Sequence, residues 1–277
     1  MTDIERIPMT PDEQGAFLKS IEHVRRIVNA HDTFVRYVAE PPKADSAIAR
    51  AYETHRRDAF DLAELLLFAA GDHLRTVVAV ADTGTVPSFA LFTLLRSAAE
   101  AAVRVRHLLE PQVDDPARLA RSLNERLSNL LEQGKVVLDD EHLMERVRHL
   151  EQRAQQLQIE VRPNKQGKTD SFGEPRESMV ALFERYLKGG ATGYRVLSAY
   201  AHSMQWMLVR PSRAKPSAEP DVVLVSTQVN TGELLALMDD IVDLFDADCG
   251  FWVVLAGQPL DVWSLAKQGN AAPTSAA

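Results

Sequence analysis

Residues 91–109 read LFTLLRSAAEAAVRVRHLL, and residues 194–208 read YRVLSAYAHSMQWML. Both carry apolar residues at steps of three and four, the repeat of a helix with one buried face. Ala98, Ala99, Ala101 and Ala102 thin the middle of the first stretch, so a neighbouring helix can approach closely. Each stretch also holds charge where burial makes charge costly: Arg96 with Glu100, and Arg195 with His202. If the two helices pack together, Arg, Glu, Ser and His converge on one spot.

The rest of the chain agrees with a helical fold. It has 277 residues, 45% hydrophobic and 25% charged, with only 13 glycines. That balance supports a sizeable core and favours helix. Thr10-Pro11-Asp12-Glu13 is a capping box opening a first helix, with Phe17, Ile21, Val24 and Val28 on one side. A second long helix is expected over residues 46–82, bent at Gly71. Pro87 opens the 91–109 helix and Pro111 stops it; Asp115-Pro116 starts the next. Leu143, Val147, Leu150, Ala154 and Leu157 follow steps of 4, 3, 4 and 3, the spacing of a coiled-coil seam. This seam predicts an antiparallel hairpin with the preceding helix or a dimer contact.

Residues 162–175 (RPNKQGKTDSFGEP) are polar and aperiodic and read as a mobile surface loop. Helices are expected over 176–188 and 192–209, and residues 211–220 read as a loop. Residues 222–229 (VVLVSTQV) form the one β-rich stretch. Asn230 to Glu233 repeats the capping-box pattern and opens a helix to about Ala247, with short helical turns over 251–255 and 260–266. The expected architecture is all-α: a multi-helix bundle with long antiparallel helices and at most one short extended segment near 222–229. Residues 1–268 form a single helical domain with a helical-hairpin protrusion over 115–158, and 269–277 a disordered tail.

Net charge is −8, which opposes broad nonspecific nucleic-acid binding. The charges are blocked. Residues 185–218 hold six bases and no acid; residues 219–261 hold nine acids and no base. Such blocks complement each other or a second subunit; alternatively the basic one binds an anion. Cys249 is the only cysteine, so no intrachain disulfide forms. Residues 1–10 lack the pattern of a signal peptide, and no apolar run is long enough for a membrane span. A cytoplasmic location is the default expectation.

Residues seven apart on a helix lie about 20° apart in azimuth and about 10 Å along the axis. Arg195 and His202 therefore share a face, with Ser198 between them. Arg offers fixed charge and a fork of donors, and His exchanges a proton near neutral pH. Together they suffice for metal-free phosphodiester cleavage. On the other helix Arg96 and Glu100 are four apart, with His107 further along, and Glu100 needs a cationic partner.

The spacing Arg195-x6-His202 on a late helix, after a long helical hairpin, resembles the Arg-x4-6-His signature of HEPN domains, over residues 89–208. RSAAEAA and YRVLSAYAH are also similar to bacterial helical proteins of unassigned function. HEPN domains are helical bundles that often dimerise, and many are metal-independent ribonucleases with a composite site at the dimer interface. The resemblance implies that Arg195 binds the scissile phosphate, His202 acts as general acid or base, and Glu100 orients one of them. Arg96, Ser198 and Arg104 are the flanking substrate-binding candidates. Active members frequently carry a polar residue directly after the Arg, whereas Val196 stands here. The expected function is a metal-independent endoribonuclease or RNA-binding protein of toxin or defence type, without cofactor or metal, as a homodimer. The alternative is a non-catalytic helical module for a protein partner or an apolar ligand, its Arg–Glu–His network fixing helix register.

Other constellations are weaker. No Glu-x-x-His tetrapeptide supports a di-iron bundle. His142, Glu145 and His149 share a face with many charges and read as solvated, as do His55, Asp58 and Asp61. Cys249 reads as a buried thiol; Met204, Trp206, Met207, Trp252 and Trp263 read as core or interface packing. No Gly-x-Ser-x-Gly elbow exists.

Overall fold

Thr10 and Glu13 form the capping box: Glu13 N donates to Thr10 Oγ1 at 3.3 Å, and Thr10 N donates to Glu13 Oε2 at 2.8 Å. The computed structural model describes residues 9–37, 42–54, 56–84, 86–137, 139–209, 212–216, 223–227 and 230–269. Residues 1–8 and 270–277, and with them most of the expected tail, lie outside the described residues.

From the capping box α1 runs Pro11–Tyr37. The expected second helix is two: α2 (Ala47–Glu53) and α3 (Asp58–Asp82). Thr54 ends α2 by donating its N–H to Arg50 O and its hydroxyl to the same carbonyl, closing the turn the chain must leave. Gly71 does not interrupt α3. It is glycine because His31 of α1 lies against it: a Cβ there would come within 2.7 Å of the imidazole.

α4 (Ala90–Leu109) is the expected alanine-rich helix and the centre of the bundle. α3, α10 (Thr231–Leu255), α8 (Gly190–Ala201), α7 (Met179–Tyr186) and α5 (Asp115–Gly134) all pack on it. Ala98, Ala99 and Ala102 are fully buried, as a thin, surrounded helix requires. Leu91, Phe92, Leu95, Leu108 and Leu109 are buried with them, and each such side chain contributes roughly 1.5–3 kcal/mol by leaving water.

The heptad-like seam is used within the chain. α5 and α6 (Asp140–Gln156) pair as a hairpin around a second apolar cluster of Leu119, Leu123, Leu127, Val147, Leu150 and Ala154. Residues 162–175 are not a mobile loop. They form β1 (Val161–Pro163) and β2 (Thr169–Phe172), an antiparallel pair, with Phe172 fully buried in the second cluster. Asn124 of α5 clamps β2 in place: it accepts from Phe172 N at 2.7 Å and donates to Phe172 O and Glu174 O at 3.1 and 3.0 Å.

The extended segment near 222–229 is present as β4 (Val223–Thr227), and its partner is β3 (Ser212–Pro216), which the sequence reading treats as loop. The helix expected over 192–209 is α8 and a short α9 (Gln205–Val209), broken where Ser203 takes φ 51°. α10 does not stop at Ala247; it continues through Gly250 to Leu255, and α11 (Leu260–Lys267) closes the chain on α1 and α10. Two β-pairs among the described residues leave the fold predominantly helical. None of the described helices is long and apolar enough to cross a membrane.

Candidate functional site at the α4–α8 contact

α8 is fixed against α4 by apolar packing: Tyr200 stacks on Phe92 with ring centroids 3.8 Å apart. Its N-terminus has glycine at the cap, so no local side chain serves its free N–H groups. Asp240 of α10 holds the backbone entering α8, accepting from Lys188 N at 3.1 Å and from the N-cap Gly189 N at 2.9 Å. His202 caps the other end, its N–H donating to Ser198 O at 2.9 Å.

This frame brings Glu100 and His202 to one guanidinium, but it is that of Arg96. Arg96 Nε donates to Glu100 Oε1 at 2.8 Å, and Nη1 lies 3.0 Å from His202 Nε2. The Tyr194 ring lies 5.8 Å from the guanidinium carbon. Arg is always a donor, so Nε2 is the acceptor in this contact. Arg96 and Glu100 are 18% and 25% exposed, and His202 is exposed, so the cluster opens to solvent.

Arg195 does not join it. It is exposed and makes no hydrogen bond or ion pair among the described residues. Helix side chains lean toward the N-terminus, and the roughly 10 Å of axis between residues seven apart is then not closed. Ser198 contributes its backbone carbonyl to the His202 cap. Arg104 faces the other way, 3.5 Å from Glu125 of α5, whose carboxyl is raised by burial and partly restored by that arginine.

His107 also leaves the cluster. It is buried, with Nδ1 3.4 Å from Tyr186 Oη, and Tyr186 donates to Glu110 Oε2 at 3.2 Å. Arg121 meets Glu110 and Glu174 at 2.9 and 2.8 Å. Burial, with Arg121 and Arg185 nearby, lowers the His107 pKa to about 3. The network ties α4, α5 and α7 together. Arg and Glu recur over residues 104–125, but nothing in the sequence says which pairs form.

The charge blocks meet in part. Lys188 reaches Asp243 at 3.1 Å. Asp248, fully buried, takes Arg106 Nε at 2.6 Å; burial raises its carboxyl and Arg106 opposes that. Cys249 is buried and its thiol is raised, first by burial and then by Asp248 and Asp246. Asp139 caps α6 by accepting from His142 N at 2.9 Å, and the His142 ring Nδ1 lies 2.8 Å from the same carboxylate oxygen. Met207, Trp252 and Trp263 are buried as expected, but Met204 and Trp206 are 48% and 55% exposed, beside His202 in the chain. Among the described residues no group of three His, Cys, Asp or Glu side chains is placed to hold a metal ion.

No protein-family model matches the chain, and neither curated proteins nor solved structures show a significant match to it.

Proposed function

We propose that the α4–α8 site binds and cleaves an RNA phosphodiester without a metal, as a HEPN-like endoribonuclease or RNA-binding protein of toxin or defence type. The observation that carries this reading is the 3.0 Å contact between Arg96 Nη1 and an exposed His202 Nε2. A phosphate oxygen entering between them meets a fixed positive charge and an imidazole together. Cleavage forms a bond from the substrate's 2′-oxygen to phosphorus as the bond to the 5′-oxygen breaks. His202 takes the 2′-hydroxyl proton or supplies one to the leaving oxygen, and Arg96 balances the charge that builds on phosphorus. Glu100 holds Arg96 by its Nε edge, leaving the other edge to face substrate. Arg195, Ser198 and the exposed Trp206 flank the site as contacts for neighbouring nucleotides. The protein works in the cytoplasm as a homodimer, whose second copy supplies the second proton-transfer group.

A second reading has its own support. Arg96 is already held by Glu100, His202 and the Tyr194 ring, as expected of a network that only locks α8 onto α4. The protein is then a non-catalytic module that docks a partner. RNA incubated with purified protein and EDTA decides between them. Cleavage that His202→Ala abolishes supports the nuclease; intact RNA supports the module.

A further inference from the structure

α11 folds back along α10 because the chain turns between them at Gly257, whose φ of 80° suits glycine. Ala247, Gly250 and Val254 of α10 are spaced three and four apart and share one face. Two of them are small. Gly250 lets α11 come near: a Cβ there would lie 3.2 Å from Leu260 Cδ1 and 3.7 Å from Trp263 Cδ1. Over this small-residue floor the helices do not close. α10, α11 and the end of α4, at Leu109 and Pro111, enclose a cavity of about 480 Å³. That volume lies within the range of roughly 300–1,000 Å³ that holds small ligands.

Its walls are aromatic and held in place. Trp263, 2% exposed, donates Nε1 to Asp246 Oδ1 at 2.6 Å. Phe251 lies against Arg106, whose guanidinium carbon is 4.7 Å from the ring centroid, and Arg106 is fixed in turn by Asp248. Walls already ordered cost a ligand little to use. The charges in the lining are matched. Lys267 Nζ reaches Asp246 Oδ1 and Oδ2 at 3.0 and 2.9 Å, and Asp243 takes Lys188 Nζ at 3.1 Å. A charged ligand must break one of these pairs or enter unpaired, whereas an uncharged one leaves them intact. The apolar rim is small. Of the large apolar side chains in the lining, Val254 and Leu260 are the exposed ones. A stable protein partner needs about 800 Å² from each side. Two side chains offer far less, so the cavity suits a small molecule.

We propose that this cavity between α10, α11 and the end of α4 binds a small, uncharged aromatic molecule against Phe251 and Trp263. The site shares no residue with the α4–α8 cluster, and its occupancy does not depend on RNA cleavage.

Titration calorimetry with diphenylmethanol, diphenylacetate and protonated diphenylmethylamine tests it, since the three share a ring body and differ in charge. Saturable binding of the alcohol is expected, with each ion weaker by about tenfold or more, because each brings an unpaired charge to an apolar wall. Ala247→Leu and Val254→Phe enlarge side chains at exposed positions of the floor and rim. Each is expected to weaken the alcohol by about tenfold or more by filling its space. Circular dichroism of the variants confirms that any loss belongs to the site and not to the fold. Either ion binding as tightly as the alcohol overturns the proposal, as does alcohol binding that is absent or survives both substitutions. Light scattering of Leu260→Asp addresses the other occupant. A dimer that this substitution dissociates gives the rim to a second copy and overturns the proposal, and a mass that it leaves unchanged supports it.

Discussion

Arg96 of α4 and His202 at the end of α8 meet through Nη1 and Nε2, 3.0 Å apart, although 106 residues separate them in the chain. The contact joins α4 to the C-terminal end of α8. It also exchanges one guanidinium for another: position 96 holds the place that the spacing of 195 and 202 suggests for position 195.

α8 is held in register by Asp240, which accepts from two backbone N–H groups at its start. Asp240→Ala is expected to lower stability by about 1–2 kcal/mol, the range of a lost helix cap, and Asp240→Asn by less. Hydrogen exchange of α8 amides reads the local effect. Protection in α8 unchanged by the alanine variant would remove this account of how the helix is placed.

Gly71 is set by its neighbour. A methyl group there meets the His31 imidazole at 2.7 Å, and that ring is packed against Phe245 with centroids 5.2 Å apart. Gly71→Ala is expected to destabilise by about 1–3 kcal/mol through overpacking, despite the better helix propensity of alanine. A urea midpoint at or above that of the wild type contradicts this.

Acid acts on two buried imidazoles. Burial lowers the His31 pKa to about 4 and the His107 pKa to about 3. In the unfolded chain an imidazole takes its proton near 6.5. Between these values the unfolded state binds a proton that the folded state does not, so stability is full above about pH 6.5 and falls as pH drops toward 4 and then 3. The full loss is on the order of 3 kcal/mol for His31 and on the order of 5 kcal/mol for His107. Asp248, with its raised carboxyl, contributes with the opposite sign, so the effect is best read as a difference. The stability gap between wild type and His107→Gln is expected to shrink in acid. A gap constant from about pH 7 to about pH 4 counts against it.

Among the described residues Arg106 and Asp248 form the most buried ion pair. Arg106→Met removes the cation that opposes the burial of Asp248, so the carboxyl is left to take up a proton or stand unpaired, and stability is expected to fall by about 1–3 kcal/mol. Adding Asp248→Asn to that variant is expected to recover part of the loss. Chemical denaturation of the single and double variants gives the comparison, and a double variant no more stable than the single one denies the coupling.

Helix starts were the most legible part of the chain, because caps are local. The Thr10 box and the Asn230 box form as expected, and Asp114 Oδ1 accepts from Ala117 N one residue before the expected start of α5. Seams were legible too: Leu143 to Ala154 repeats at the spacing of the face it buries. The β1–β2 pair was not. Its only fully buried apolar side chain is Phe172, with Val161 packed beside the same cluster, and its anchor, Asn124, lies 48 positions away. The site was half legible. Burial pressure marked Arg96, Glu100 and His202 as residues in need of partners. Which arginine answers was not written in helical spacing, since it depends on how α8 lies across α4 and on the lean of a long side chain.

The most direct test compares RNA cleavage in EDTA by the wild type, His202→Ala, Arg96→Ala and Arg195→Ala. The account predicts cleavage by the wild type, a loss of about 10²–10⁴-fold without the imidazole, a loss of about 10²–10³-fold without Arg96, and a much smaller effect at Arg195. RNA left intact by the wild type, or cleavage that tolerates Arg96→Ala while failing in Arg195→Ala, contradicts it.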